Sequence, residues 1–198
     1  MKKSKVEILV YSALLLTVGL ILPFFTGQIP QIGSMLLPMH LPVLLCGLIC
    51  GWKYGFAVGL IMPVMRSFLF GMPPMFPTAI SMAVEMAVYG AVSGWLYSHS
   101  RWQCVVSLYR SLLAAMVAGR LAWGGMQIIL LGLSGSAFTW QMFMAGAFLN
   151  AIPGIILQLT LIPVLMVALD RAKIVRFRKT HQEINTQEGT AYAEKRYH

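Results

Sequence analysis

The chain has 198 residues and a formal net charge of +9, with 58% of its residues hydrophobic and only 11% charged. Soluble domains run to roughly half apolar and a quarter charged, so this balance excludes an ordinary water-soluble fold and calls for lipid as the solvent. A spanning helix takes about 20 apolar residues, so the length holds six or seven spans in one helical domain, and the basic excess reports topology before it reports an acidic partner.

In chain order, Lys2, Lys3 and Lys5 lead into an apolar run over 6–25. That run is too long for the apolar core of a signal peptide and is followed by no small-x-small cleavage pattern, so it reads as the first span. Residues 26–34 are polar, turn-rich and uncharged, and form a loop. The apolar stretch 35–70 is broken at Gly51-Trp52-Lys53-Tyr54-Gly55, which predicts two short spans joined by a tight turn. One span plus a re-entrant segment is the alternative, because Pro38, Pro42 and Pro63 weaken regular helix.

Pro73, Pro74 and Pro77 remove backbone donors and bias their predecessors toward extended geometry, so 71–77 is a stiff apolar loop. Spans follow over 78–97, 107–131 and 144–169, separated by a polar break at 98–103 and a loop at 132–141. The expected architecture is all-α, a polytopic membrane bundle of six transmembrane helices over 1–170, with a basic and then polar tail over 171–198. Cys46, Cys50 and Cys104 lie in or beside apolar stretches without a CxxC pair or a histidine at ligand spacing, and read as packing residues rather than as a metal site.

Charge fixes the orientation. With the N-terminus inside, the inner segments carry Lys2, Lys3, Lys5, Lys53, Arg101, Arg110, Arg171, Lys173, Arg176, Arg178, Lys179, Lys195 and Arg196, thirteen of the 15 basic residues, while the three outer loops carry no charge at all. Six spans with both termini in the cytosol and a plasma-membrane location satisfy the positive-inside rule, and an odd number would scramble the segregation. Basic residues of the segment 171–179 begin at the membrane and suit anionic lipid.

Arg66, Glu85 and Arg120 remain inside spans. Each is expensive in hydrocarbon unless paired or hydrated, so they face the bundle interior or a wet cavity. From the helix rise, Arg66 lies roughly 6 Å and Glu85 roughly 10 Å below the outer surface, with Arg120 near roughly 16 Å. Arg66 and Glu85 can therefore meet, either as a purely structural interhelical pair or in a ligand site. Arg120 then has no acid of its own, and its unmet charge suggests an anionic ligand. Gln127 shares its face at i+7, with Trp123 between, and Asn150 and His40 add polar groups at similar depth.

The run Leu37-Pro38-Met39-His40-Leu41-Pro42-Val43, followed by Gly47 and by Gly51-Trp52-Lys53-Tyr54-Gly55 and Gly59, resembles the HIPV…G…GPKYG…G stretch of the substrate-binding S components of energy-coupling factor (ECF) transporters. The resemblance is to the broad pantothenate, folate and hydroxymethylpyrimidine group, with Trp52 where proline is usual, and it covers the membrane domain but not the tail. It implies a noncatalytic vitamin-capture subunit without cofactor. This subunit would dock on a coupling membrane protein driven by two ATPase subunits and topple in the bilayer to deliver its ligand.

By the same resemblance, the loop 26–39 closes over an outward site containing Arg66, Glu85, Arg120, Trp123, Gln127 and Asn150. The small-residue docking face of the first span is represented only in part, by Ala13 and Thr17. Two arginines against one glutamate favour a carboxylate-bearing vitamin, with pantothenate as the first guess. An autonomous secondary carrier or channel is the second reading. An intramembrane enzyme is the third, disfavoured because Glu85 has no nucleophile or buried histidine beside it.

Overall fold

The computed structural model describes residues 4–26, 38–100, 105–133, 144 and 152–172. All regular structure among them is helical: α1 (Lys5–Ile21), a 3-10 extension (Leu22–Thr26), α2 (His40–Cys50), α3 (Trp52–Phe70), a wide turn (Met75–Ala79), α4 (Ile80–His99), α5 (Val105–Leu133) and α6 (Ile152–Arg171).

The predicted segments appear with shifted ends. Helix α1 begins in a capping box: Ser4 Oγ accepts from the Glu7 amide at 3.1 Å, and the Ser4 amide donates to Glu7 Oε2 at 2.9 Å. Ser4→Ala is expected to cost about 1 kcal/mol of helix stability, seen as faster amide exchange in the first turn. Five helices are long and apolar enough to cross a membrane. The second predicted span is shorter: α2 has 11 residues, about 16 Å at the helical rise, and does not cross the hydrocarbon by itself. The 71–77 segment is non-helical up to Pro74 and then enters the wide turn, where Phe76 stays extended, as three prolines require.

Helix α4 is the centre of the bundle, packed on α2, α3 and α5, and α1 lies against α2 and α3. Its near neighbours approach through glycine. A Cβ on Gly55 would stand 2.6 Å from the Gly47 Cα and 2.7 Å from the Gly90 carbonyl oxygen, and one on Gly94 would stand 2.8 Å from the Trp52 amide nitrogen. Gly59 meets the Met86 backbone and Gly90 the Gly55 backbone in the same way, so α2, α3 and α4 touch main chain to main chain. In lipid, where apolar surface gains little by leaving the solvent, such close approach supplies the dispersion contacts that hold helices together. The turn between α2 and α3 uses Gly51 at φ 95°, a conformation that disfavours any side chain.

Outside this seam, Leu44, Leu108, Leu112, Ile162 and Met166 form a fully buried apolar cluster, while Val6, Leu9, Leu121, Ile128 and Val164 point outward as a lipid-facing surface requires. Gln158, Ile162 and Met166 recur every four residues on α6, placing one polar group on its buried face.

Candidate functional site

On α4, Ser81, Glu85, Tyr89 and Ser93 follow at intervals of four and all are buried, so one face of this central helix is a polar stripe. Facing it, α5 buries Arg120 and Gln127. The antiparallel pairing makes two layers. In the outer one, Gln127 Nε2 donates to Ser81 Oγ at 3.2 Å. In the next, Arg120 Nη1 lies 3.1 Å from Glu85 Oε1, with both side chains almost wholly buried.

His40, the first residue of α2, completes this inner layer from the other side. Its Nε2 is 3.6 Å from Glu85 Oε1, and its ring meets Tyr89 edge-on at 5.1 Å between centroids. Tyr89 lies one turn beyond Glu85 on the same buried face of α4. No side chain caps the α2 N-terminus, and Pro42 sits in its first turn, where a missing N–H does no harm. The positive end of the α2 dipole therefore lies on the Glu85 side of this layer. Gly119 makes room for this arrangement, since a Cβ there would stand 2.7 Å from the Tyr89 ring.

The layer is incompletely satisfied. Both His40 ring nitrogens and Arg120 Nε and Nη2 are buried without a hydrogen-bond partner among the described residues, and Glu85 Oε1 has only its ion-pair contacts; the same lack of a partner holds for Gln127 Oε1 in the adjoining layer and for Gln158 Nε2 on α6. Buried polar atoms almost always find partners, so open donors and acceptors on this scale set these residues apart from the apolar remainder of the bundle.

Three sequence expectations are corrected here. Arg66 does not meet Glu85. Its guanidinium donates to the Leu20 carbonyl at the end of α1 and lies over the Phe24 and Phe70 rings, 5.0 Å and 5.4 Å from their centroids. Along α3, Gly59 faces α4 but Met62 and Arg66 face α1, so similar depth did not mean similar direction. Arg120, expected to lack an acid, is the partner of Glu85. A buried histidine also stands beside Glu85, contrary to expectation.

Arg66 instead fixes the C-terminal end of α1. Arg66→Met is expected to lower stability by about 1–3 kcal/mol, through loss of one charge-assisted hydrogen bond and two cation–π contacts, without changing substrate affinity in an equilibrium binding measurement.

Of the other anticipated residues, Trp123 is half-buried on α5 between the two layers, and Ala13 and Thr17 lie on the exposed face of α1, where the Thr17 hydroxyl bonds back to the Ala13 carbonyl. Asn150, Cys104 and residues 27–37 of the anticipated closing loop lie outside the described residues. The sequence reading passed over Ser81 and Tyr89 and left Gln158 out of the site. Spacing of four on either side of Glu85 marks the first two, and the α6 period marks the third. Cys46 and Cys50 are buried thiols, Cys46 with its sulfur 3.8 Å from the Ser12 hydroxyl, and no metal-holding cluster occurs among the described residues.

A family model described as "ECF transporter, substrate-specific component" matches residues 8–166. The chain belongs to this family. No curated protein and no solved structure matches it. It is accordingly a multi-pass membrane protein of transport, the substrate-binding component of an ECF importer, and the family is a transporter component rather than an enzyme class. ECF S components work with a small-molecule substrate and an ECF module.

Proposed function

We propose that this S component captures a vitamin-sized polar metabolite from the outer side of the plasma membrane, in a site built on His40, Glu85 and Arg120 with Gln127 and Gln158 at its margins. The observation that carries the reading is the collection of buried donors and acceptors left open on three different helices around one carboxylate. Trp123 and Asn150 belong to the same proposal as further wall residues, and Ala13 and Thr17 as part of the surface for the coupling membrane protein, which is driven by two ATPase subunits. Six segments cross the bilayer in this reading, α2 as a shortened one, with both termini cytoplasmic. The charge-free outer loops and the basic inner rim support that orientation.

The carboxylate-bearing substrate expected from the sequence rested on two arginines sharing one glutamate. With Arg66 engaged at the end of α1, the balance at the site is one arginine to one glutamate. That leaves the vitamin class to the argument below.

The purified chain is expected to bind its metabolite with about nanomolar Kd without ATP. Cells carrying the chain without a coupling module should show no uptake at low metabolite concentration. Full-rate uptake by the chain alone would overturn the reading in favour of an autonomous carrier.

A further inference from the structure

The geometry points to an uncharged, amide-type ligand for this site, one presenting a carbonyl oxygen beside an N–H, rather than a free carboxylate; the inference rests on the capture reading above. Three observations carry it.

The first is charge. Glu85 and Arg120 neutralise one another at 3.1 Å, and Arg66, the other intramembrane cation among the described residues, is turned away to the Leu20 carbonyl. His40 adds a charge only when protonated, and the dipole end beside Glu85 is partial. A ligand carboxylate would make two buried anions around one arginine, and an unbalanced charge in this environment is strongly penalised.

The second is the shape of the open donors. Nη1 of Arg120 faces Glu85, whereas Nε and Nη2, which form one flat edge of the guanidinium, have no partner among the described residues. Such an edge receives one acceptor bidentately or two adjacent acceptors, and a lactam or amide oxygen satisfies it without bringing charge.

The third is the presence of acceptors with room for a donor in this layer and the adjoining one. Gln127 Oε1 has no hydrogen-bond partner among the described residues, and Glu85 Oε1 is met by Arg120 Nη1 at 3.1 Å without a well-aligned hydrogen bond, so both keep room for a donor. A carboxylate ligand offers them nothing, because it accepts only, while an amide N–H beside its carbonyl fills one of them. A site left with unpaired polar groups discriminates strongly against an analogue that cannot pair them.

The test takes a small-molecule extract of cells and splits it on a mixed-bed ion-exchange resin into an uncharged flow-through and a charged eluate. Each is passed over the immobilised full-length protein in lipid nanodiscs, and retained species are identified by mass spectrometry. The expected result is a retained species from the uncharged fraction, with retention reduced at least about tenfold by Arg120→Lys, which keeps the charge but removes the flat two-donor edge. Retention from the charged eluate instead would overturn the ligand class while leaving capture intact. Retention from neither fraction would overturn capture itself, and unchanged retention by a monodisperse Arg120→Lys protein would overturn the role of the guanidinium edge.

Discussion

Glu85→Ala is expected to lower the stability of the purified protein by about 3–5 kcal/mol, because removing one member of a buried ion pair strands the other. Arg120 is the stranded group, 7% exposed and with two further nitrogens already lacking partners among the described residues. Thermal unfolding in detergent reads the loss, and binding of the metabolite should disappear with it. The effect belongs to the pair rather than to the acid alone: a Glu85→Gln, Arg120→Gln double variant removes both charges and should regain most of the stability lost by Glu85→Ala. It should nevertheless remain unable to bind. A double variant as unstable as Glu85→Ala would mean that the carboxylate is needed for folding through contacts other than Arg120.

Gly90→Val is expected to prevent assembly of the bundle, leaving protein that aggregates on extraction. A side chain at this position is driven into the Gly55 main chain, with the Gly55 Cα only 2.8 Å from the new Cβ, and a helix backbone cannot yield as a flexible side chain can. Overpacking in a core typically costs about 1–3 kcal/mol, and here α3 and α4 would also have to separate along the seam, losing contacts over its length. Gly125 provides the contrast. It lies on α5 with nothing within 4 Å of an added Cβ, so Gly125→Ala should be tolerated and gain up to about 1 kcal/mol from helix propensity alone. Size-exclusion profiles of the two variants distinguish a packing requirement from a general intolerance of change at glycine.

The helical membrane character was legible in the sequence because hydrocarbon imposes both composition and length, and the break at Gly51–Gly55 was legible because glycine and a lone lysine interrupt an otherwise apolar stretch. The pairing inside the bundle was less so. Depth along a helix follows from counting residues, but direction around it depends on how neighbours cross, and that is set here by glycines whose contacts no linear pattern reveals. Arg66 and Glu85 were closest in depth, yet α3 turns Arg66 toward α1 while α4 presents Glu85 to α2 and α5. His40, Glu85, Arg120 and Gln127 were all recognisable as polar groups in apolar segments, so most of the candidate site could be named before its partners were known. Tyr89 escaped notice because a tyrosine in a span is ordinarily a packing or interfacial residue, and only its position one turn from Glu85, with its ring against His40, brings it beside the polar layer.

The glycine seam has a mechanical consequence. Between α2, α3 and α4 there are few side-chain torsions to rearrange, since the surfaces in contact at Gly47, Gly55, Gly59, Gly90 and Gly94 are peptide planes. Sliding one helix past another would first have to lift these planes apart, which leaves no soft coordinate within the trio. Any reorientation in the bilayer must therefore carry α2, α3 and α4 as a single rigid wedge, with His40 and Glu85 travelling together on it, and flexibility is left to the elements attached around it.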